Sequence, residues 1–401
     1  MSSKRKKILV VAMSDSIHTV RWIRQIQDQD WEIFLFPSSY GSDLHSNLKG
    51  IKLCIPLGAF REFIAAVNGE KLYSIFRNFA RSLIIRFFPE YRSWLLNWYI
   101  KLVQPDVIHS LETQGAGYLV SDTKNLYLKN RSFPPWWHTN WGSDIFLFGH
   151  IPFHRPKIEM VLASCDYYSC ECERDIKLAR EYGFTGEFFP VYPNTGGFDL
   201  YMVQSMRKHS QVTSQRKLIM LKGYQGWAGR ALVGLRALER CADLLKEYTI
   251  IIYSNPSAED IFIAATLFTA RTNIKINILP AGTSHEEILS YHSRARVSIG
   301  LSISDAISTS LLEAMAMGSF PIQSSTACAC EWIIDGETGY IVPSEDPEII
   351  EEAIKQALCN DELVNSAAEK NFDKIMVDAD YNKLKDLTIK SYRKIFDINK
   401  K

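Results

Sequence analysis

Short apolar, β-rich runs alternate with longer segments of helical period from one end of the chain to the other, and this alternation limits the fold more than any other feature. Strands are expected at Ile8–Ala12, Glu32–Pro37, Lys52–Pro56, Asp106–Ser110, Trp136–Thr139, Tyr167–Cys170 and Phe188–Val191. A second series is expected at Lys217–Leu221, Tyr248–Ser254, Ile274–Leu279, Arg296–Leu301, Phe320–Gln323 and Tyr340–Val342. Repeated strand–helix units build parallel sheets covered by helices on both faces. Two series in 401 residues imply two doubly wound, Rossmann-like α/β domains, over 1–195 and 217–375. The stretch PNTGGFDLYMVQSMRKHSQVTSQRK is rich in Gly, Ser, Gln and charge and has no clear strand, so 196–216 reads as a linker. The charged amphipathic helix within 376–401 is expected to return to the N-terminal domain. In such folds ligands bind outside the carboxyl ends of the strands. With two such domains, the ligand cleft is expected between them.

The formal net charge is +1, which supplies no overall attraction to nucleic acid, and no such partner is expected. The start MSSKRKK runs directly into ILVVA, so no signal peptide is expected, and the 8 cysteines read as free thiols of a reducing, cytoplasmic compartment. SCDYYSCEC and ACAC lack paired C-x2-C spacing, so no metal site is expected. No apolar run is long enough to span a bilayer. From Lys71 to Val103, however, six Lys and Arg residues interleave with Phe, Trp, Tyr and Leu against the single acid Glu90. That mixture suits the surface of an anionic membrane, and it equally suits amphipathic helices docked on a sheet.

The stretch ISDAISTSLLEAMAMGSFPIQS, Ile303 to Ser324, carries the clearest chemistry. The buried-strand pattern VSIGLSIS places Asp305 at a carboxyl end, and a turn of small residues then leads into a helix containing Glu313. One reading makes Ser310 the helix cap with Glu313 reaching back to it. That reading leaves the carboxylate pair unexplained. The exposed N–H groups at the helix start, after the turn Ala306–Thr309, would favour an anion such as a diphosphate. A second loop, in LKGYQGWAGRAL, frames Gly223, Gly226 and Gly229 with Lys222 at the strand end and Arg230 near the next helix, cations of the kind a diphosphate needs.

Together, Asp305, Glu313, Ala316, Gly318 and Pro321, with the continuation EWIIDGETGYIVPSEDPEIIEEAI, resemble the E-x7-E region of retaining GT-B glycosyltransferases, in particular glycosyltransferase family 4. The resemblance implies a GT-B fold, two Rossmann-like domains facing across a cleft. It also implies that Glu313 binds the ribose of a nucleotide sugar and Asp305 the donor sugar. Ile307, Ser308, Thr309 and Gly223 would then meet sugar and diphosphate, and Lys222 and Arg230 would neutralise the departing diphosphate. Asp305 stands where the family has Glu, and Ser308 where it has a loop glycine. In the first half, Ser16 and His18 follow the first strand. Glu112 follows another, beside Leu111, where many relatives place a histidine. WWHTNWGSDI resembles a family loop with Gly142 and Asp144 in its signature, and adds His138 and Trp141 as candidates on the acceptor or donor-sugar side.

The implied reaction is retaining transfer of a hexosyl-type sugar from a nucleotide-diphosphate sugar to a hydroxyl of a glycan or lipid-linked acceptor, as in surface polysaccharide or glycoconjugate assembly. UDP is the expected nucleotide, and neither a metal nor another cofactor is expected. The Leu279–Ser284 turn is the candidate reader of the base. The alternatives are a GT-B epimerase or phosphorylase, a carboxylate-pair hydrolase, or a non-catalytic nucleotide-sugar-binding module.

Overall fold

The computed structural model describes residues 5–39, 44–54, 88, 90–127, 133–254 and 258–398. The chain forms two compact units, Met1–Asn194 with Lys385–Lys401, and Thr195–Leu384.

The first unit is built on a seven-stranded sheet ordered β3-β2-β1-β4-β5-β6-β7. Its strands are β1 (Lys6–Ala12), β2 (Trp31–Pro37), β3 (Lys52–Leu53), β4 (Val107–Leu111), β5 (Trp136–Thr139), β6 (Tyr167–Ser169) and β7 (Glu187–Phe188). All pairings are parallel. Parallel strands buried on both faces need near-continuous apolar runs, and Ile8–Ala12 and Val107–Leu111 are buried throughout. The C-terminal helix Tyr381–Ile398 joins this unit through buried polar bonds. The Tyr392 hydroxyl lies 2.6 Å from His109 Nδ1 and 3.1 Å from Trp22 Nε1, and Thr388 Oγ1 donates to Gln25 Oε1 at 2.9 Å.

The second unit is a six-stranded parallel sheet ordered β10-β9-β8-β11-β12-β13. Its strands are β8 (Leu218–Lys222), β9 (Thr249–Tyr253), β10 (Ile276–Ile278), β11 (Ala295–Gly300), β12 (Phe320–Ser324) and β13 (Tyr340–Val342). In both sheets the order runs outward in one direction and then reverses, β1 beside β4 and β8 beside β11. Helices diverge to opposite faces at such a reversal and leave a crevice at the strand ends. Lys222 and the Asp305 loop flank the reversal of the second sheet. Ser16 and Glu112 flank that of the first.

The expectation of a linker over 196–216 is corrected. Asp199 caps a helix, Leu200–Lys208, through bonds to the N–H groups of Tyr201 and Met202, and the stretch groups with the second unit. Of the basic, aromatic stretch 71–103, residues 71–87 and 89 lie outside the described residues. The helix Tyr91–Val103 buries Leu95, Leu96, Tyr99, Ile100 and Val103, and exposes Trp94, Trp98 and Leu102 at 43%, 45% and 61%.

Candidate functional site

The second unit assembles its site from the loops that follow β8 and β11. These loops are tied edge to edge. Gly229 bridges Ser302, the Ile303 N–H donates to the Ala228 carbonyl at 2.8 Å, and the Arg230 N–H donates to the Leu301 carbonyl at 3.0 Å. Gly229 is required by this closure, since a Cβ there would lie 2.0 Å from the Tyr224 carbonyl oxygen. The Arg230 guanidinium pairs with Glu345 at 2.8 Å and donates to the carbonyls of Gly229 and Gly226 at 2.8 and 3.4 Å. It therefore braces the loop from within. Gly223 is buried, its N–H donating to the Tyr253 carbonyl at 2.6 Å.

The helix Thr309–Met317 begins at Ser308, which makes no side-chain cap. The reading that made Ser310 the cap is corrected: Ser310 lies inside the helix, and the Glu313 carboxylate meets His285. The first N–H groups of a helix have no intrahelical acceptor. Here the Ser308 hydroxyl sits 2.8 Å from Ser310 Oγ and 3.3 Å from Lys222 Nζ, so an ammonium stands at a helix N-terminus. That pairing of positive charge and oriented N–H groups is an anion site. Ser308 has φ −66 and ψ 119, an ordinary extended conformation, so the loop needs no glycine there. Ile307 and Ser308 are buried, and Thr309 is half-buried. Asp305 is half-buried, its Oδ1 accepting from the Ala306 N–H at 3.0 Å. Tyr224 lies near both charges. Its ring centroid is 5.6 Å from Lys222 Nζ, and burial together with the Asp305 charge raises its phenol.

Glu313 is 5% exposed on the helix that follows. His285 Nε2 lies 2.9 Å from Oε1, and His292 Nε2 lies 3.7 Å from Oε2. Burial pushes this carboxyl up, but the two imidazoles outweigh it and hold the group well below the usual carboxylate range. The side chain is thus a carboxylate with an orientation fixed from one side. Such a group can accept from two neighbouring hydroxyls. His285, His292 and Tyr224 were not among the residues expected from the sequence. The histidines come from HEEILSYH, whose i, i+7 spacing puts both on one helix face, but nothing in that spacing names the carboxylate they meet.

The candidates of the first unit form a different kind of structure. Ser16 caps the helix Ile17–Arg24, accepting from the His18 N–H. His18 is exposed, with its ring centroid 5.2 Å from that of Trp141. His138, Thr113 and Asp144 converge: Thr113 Oγ1 lies 3.1 Å from His138 Nε2 and 3.0 Å from Asp144 Oδ2. His138 Nδ1 is 2.8 Å from the Ser110 hydroxyl. The ring is 1% exposed, and burial lowers it to about 3. A rim role for His138 is therefore corrected to that of a neutral, fully bonded core group. Glu112, at φ 75, turns its carboxylate back onto the N–H groups of Gly115 and Ala116. Burial pushes it up to about 7, against those bonds and with the help of Asp144. Asp144 accepts from the N–H groups of Trp141 and Thr113 at 2.9 and 3.0 Å, and burial raises it to about 6. Both carboxyls organise their loops from inside, which corrects their expected place as contacts on the acceptor or donor-sugar side.

Residues 269–374 match the family model described as glycosyl transferases group 1. Sequence comparison with curated proteins gives no match. Among solved structures, sucrose-phosphate synthase of Thermosynechococcus elongatus superposes with a TM-score of 0.72 at 14% identity, over 98% of this chain and 100% of that one. The α,α-trehalose 6-phosphate synthase of Burkholderia multivorans gives 0.67 at 11% identity, over 99% of this chain and 98% of that one. HepE of Anabaena, solved in complex with UDP-glucose, gives 0.65 at 12% identity, over 97% and 99%. The chain has the GT-B fold, and across residues 269–374 its second unit carries the sequence pattern of the glycosyl transferases group 1.

Proposed function

We propose that this protein is a retaining glycosyltransferase, of the family 4 type, that transfers a hexosyl group from a nucleotide-diphosphate sugar to a hydroxyl of a glycan or lipid-linked acceptor. The observation that carries the reading is in the second unit. A buried carboxylate, Glu313, lies on the helix whose start, Ser308, meets the ammonium of Lys222 at the reversal of the parallel sheet. A nucleotide diphosphate has the matching sequence of groups, a ribose diol followed by two phosphates. Glu313 accepts from the diol, and the helix N–H groups with Lys222 take the diphosphate. The HepE complex with UDP-glucose supports UDP as the nucleotide, with the Leu279–Ser284 turn reading the base.

In the transfer step the anomeric C–O bond breaks and the bonding pair leaves on the diphosphate oxygen, while the acceptor oxygen attacks from the same face and passes its proton to that departing oxygen. Negative charge grows on the leaving group. Preorganised donors aimed at that charge are the main source of acceleration. Lys222 and the first N–H groups of the helix Thr309–Met317 supply it without a metal. Arg230 contributes by holding the loop closed on Ser302 and Leu301. Asp305, beside Tyr224, is placed to accept from hydroxyls of the donor sugar. The acceptor is assigned to the first unit, with exposed His18 and its neighbour Trp141 as contacts.

The assignment to surface polysaccharide or glycoconjugate assembly rests on the exposed Trp94, Trp98 and Leu102 together with the basic residues of 71–103. A sequence of that composition would hold the enzyme on the inner, anionic surface of a membrane. No described helix is long and apolar enough to cross one. A cytoplasmic location fits the free thiols. The test is donor turnover. UDP-, GDP- and ADP-sugars are incubated with glycan and polyprenyl-linked acceptors, nucleotide release is measured, and the product anomer is read by NMR. Release of nucleotide with retained configuration is expected. Inversion would remove the mechanism, and no release with any pair would remove the activity.

A further inference from the structure

Glu313 is faced by two imidazoles from one helix, His285–His292, and they treat its two oxygens differently. His285 Nε2 is within hydrogen-bond reach of Oε1 at 2.9 Å. His292 Nε2 stands 3.7 Å from Oε2, is buried, and has no hydrogen-bond partner. The His292 ring is fixed from its other side by Ser298 Oγ, 2.9 Å from Nδ1, and that hydroxyl is in turn 2.7 Å from Ser319 Oγ. The His285 ring lies nearly parallel to Phe198, and His292 stands edge-on to Tyr253, with centroids 6.5 and 5.2 Å apart. Oε1 is thus held, while Oε2 faces a ring nitrogen that has no hydrogen-bond partner.

We propose that His285 and His292 are positioning residues for the nucleotide ribose, acting through Glu313, and that the charge on His285 sets how well the carboxylate accepts the ribose diol. The proposal rests on the reading of Glu313 as the ribose-binding carboxylate. Neutral His285 orients Oε1 and leaves the full negative charge for the diol. A carboxylate binds hydroxyls more strongly than a neutral acceptor because its charge assists the bond. A protonated His285 turns its hydrogen bond into an ion pair and takes that charge for itself. Nucleotide affinity is therefore expected to fall when acidification puts a charge on His285. His292, 3.7 Å from Oε2, is the other imidazole facing Glu313, and it is left in place in every variant compared. Burial and the Glu313 charge hold the Tyr253 phenol far above its ordinary range. Arg207, at the far end of the same helix beside Gly318, is paired with Glu369.

The experiment is calorimetric titration with UDP, then GDP and ADP, at about pH 7.5 and about pH 5.5. It compares wild type, His285→Ala, His285→Gln and Glu313→Ala. Gln keeps a neutral N–H donor near the position of Nε2. The His285 side chain is 39% exposed, so these variants are expected to fold, and thermal unfolding of each checks it. UDP gains a proton of its own in this interval, and the comparison between proteins subtracts that effect. At the higher pH, His285→Ala is expected to weaken binding ~10-fold and His285→Gln by no more than ~3-fold. On acidification wild type is expected to lose ~5-fold more affinity than His285→Gln. Equal pH dependence in wild type and His285→Gln, or His285→Ala binding like wild type, overturns the proposal alone, provided Glu313→Ala still weakens binding. If Glu313→Ala binds like wild type, or wild type binds none of the three nucleotides, the ribose reading itself falls.

Discussion

Lys222 is the cation that the structure places at the helix start, and replacing it by Gln separates charge from packing. Its Nζ touches the Ser308 hydroxyl at 3.3 Å, a long and weak bond, so thermal stability is expected to change little. The effect on turnover follows from Coulomb's law. Opposite unit charges ~4 Å apart at an effective dielectric near 20 interact by ~4 kcal/mol. Lys222 is half-buried, and solvent screening reduces this to ~2 kcal/mol for each unit of phosphate charge it faces, or about 30-fold. The donor already carries diphosphate charge before it reacts, and one further charge appears as the sugar departs. The ground-state share raises KM, and the added charge lowers kcat by ~30-fold. Lys222→Arg keeps the charge on a bulkier group and is expected to fall between the two. The assay is steady-state nucleotide release with the identified donor, over a range of donor concentrations. A Lys222→Gln enzyme whose kcat and KM both stay within about twofold of wild type would refute the assignment of the leaving-group charge to this site.

Two further predictions concern the first unit. Glu112 is raised to about 7 by burial, so between its unfolded value and pH 7 the folded chain holds a proton that the unfolded chain has lost. Stability from this residue is present at low pH and declines as pH rises through that window, by ~3 kcal/mol at most. Urea unfolding of Glu112→Gln against wild type is expected to show the variant gaining relative stability from about pH 4.5 to pH 7.5, and a constant difference would contradict the buried, protonated carboxyl. His138 has the opposite sign. It is lowered to about 3, so acidification below its unfolded value favours the unfolded chain, and the two contributions partly cancel in wild type. Separately, flotation with anionic vesicles is expected at low salt and to be lost when Arg77, Arg81 and Arg86 are replaced by Glu, with nucleotide binding unchanged. No flotation by wild type would remove the membrane reading.

Much of the second unit is legible in the residues themselves. Buried parallel strands leave runs such as VSIG and PIQS, and the carboxylate pair Asp305 and Glu313 is carried by local spacing. The opening of the helix was harder to read, because Ser308 and Ser310 both fit a cap and only the backbone chooses between them. What spacing could not reveal depends on pairs far apart in the chain. His285 and Glu313 lie 28 residues apart, and Arg230 and Glu345 lie 115 apart. Each is brought together by the order in which strands enter the sheet, and that order has no local signature. The same is true of the inward turn of Glu112 and Asp144. A polar residue at a strand end reads as a rim residue until the loop beyond it is seen to fold its N–H groups back. The helix Leu200–Lys208 was hidden by a composition of Gly, Ser and charge on either side of it, although Asp199 is an ordinary N-cap.

The measurement that bears most directly on the account is calorimetric binding of UDP, GDP and ADP to the wild-type protein and to Glu313→Ala. The account predicts that one nucleotide binds selectively and that the variant loses ~100-fold in affinity, the worth of two charge-assisted hydrogen bonds to the ribose. A variant that binds as tightly as wild type would leave Glu313 as a buried partner of two histidines and nothing more, and the donor site would have to be sought elsewhere.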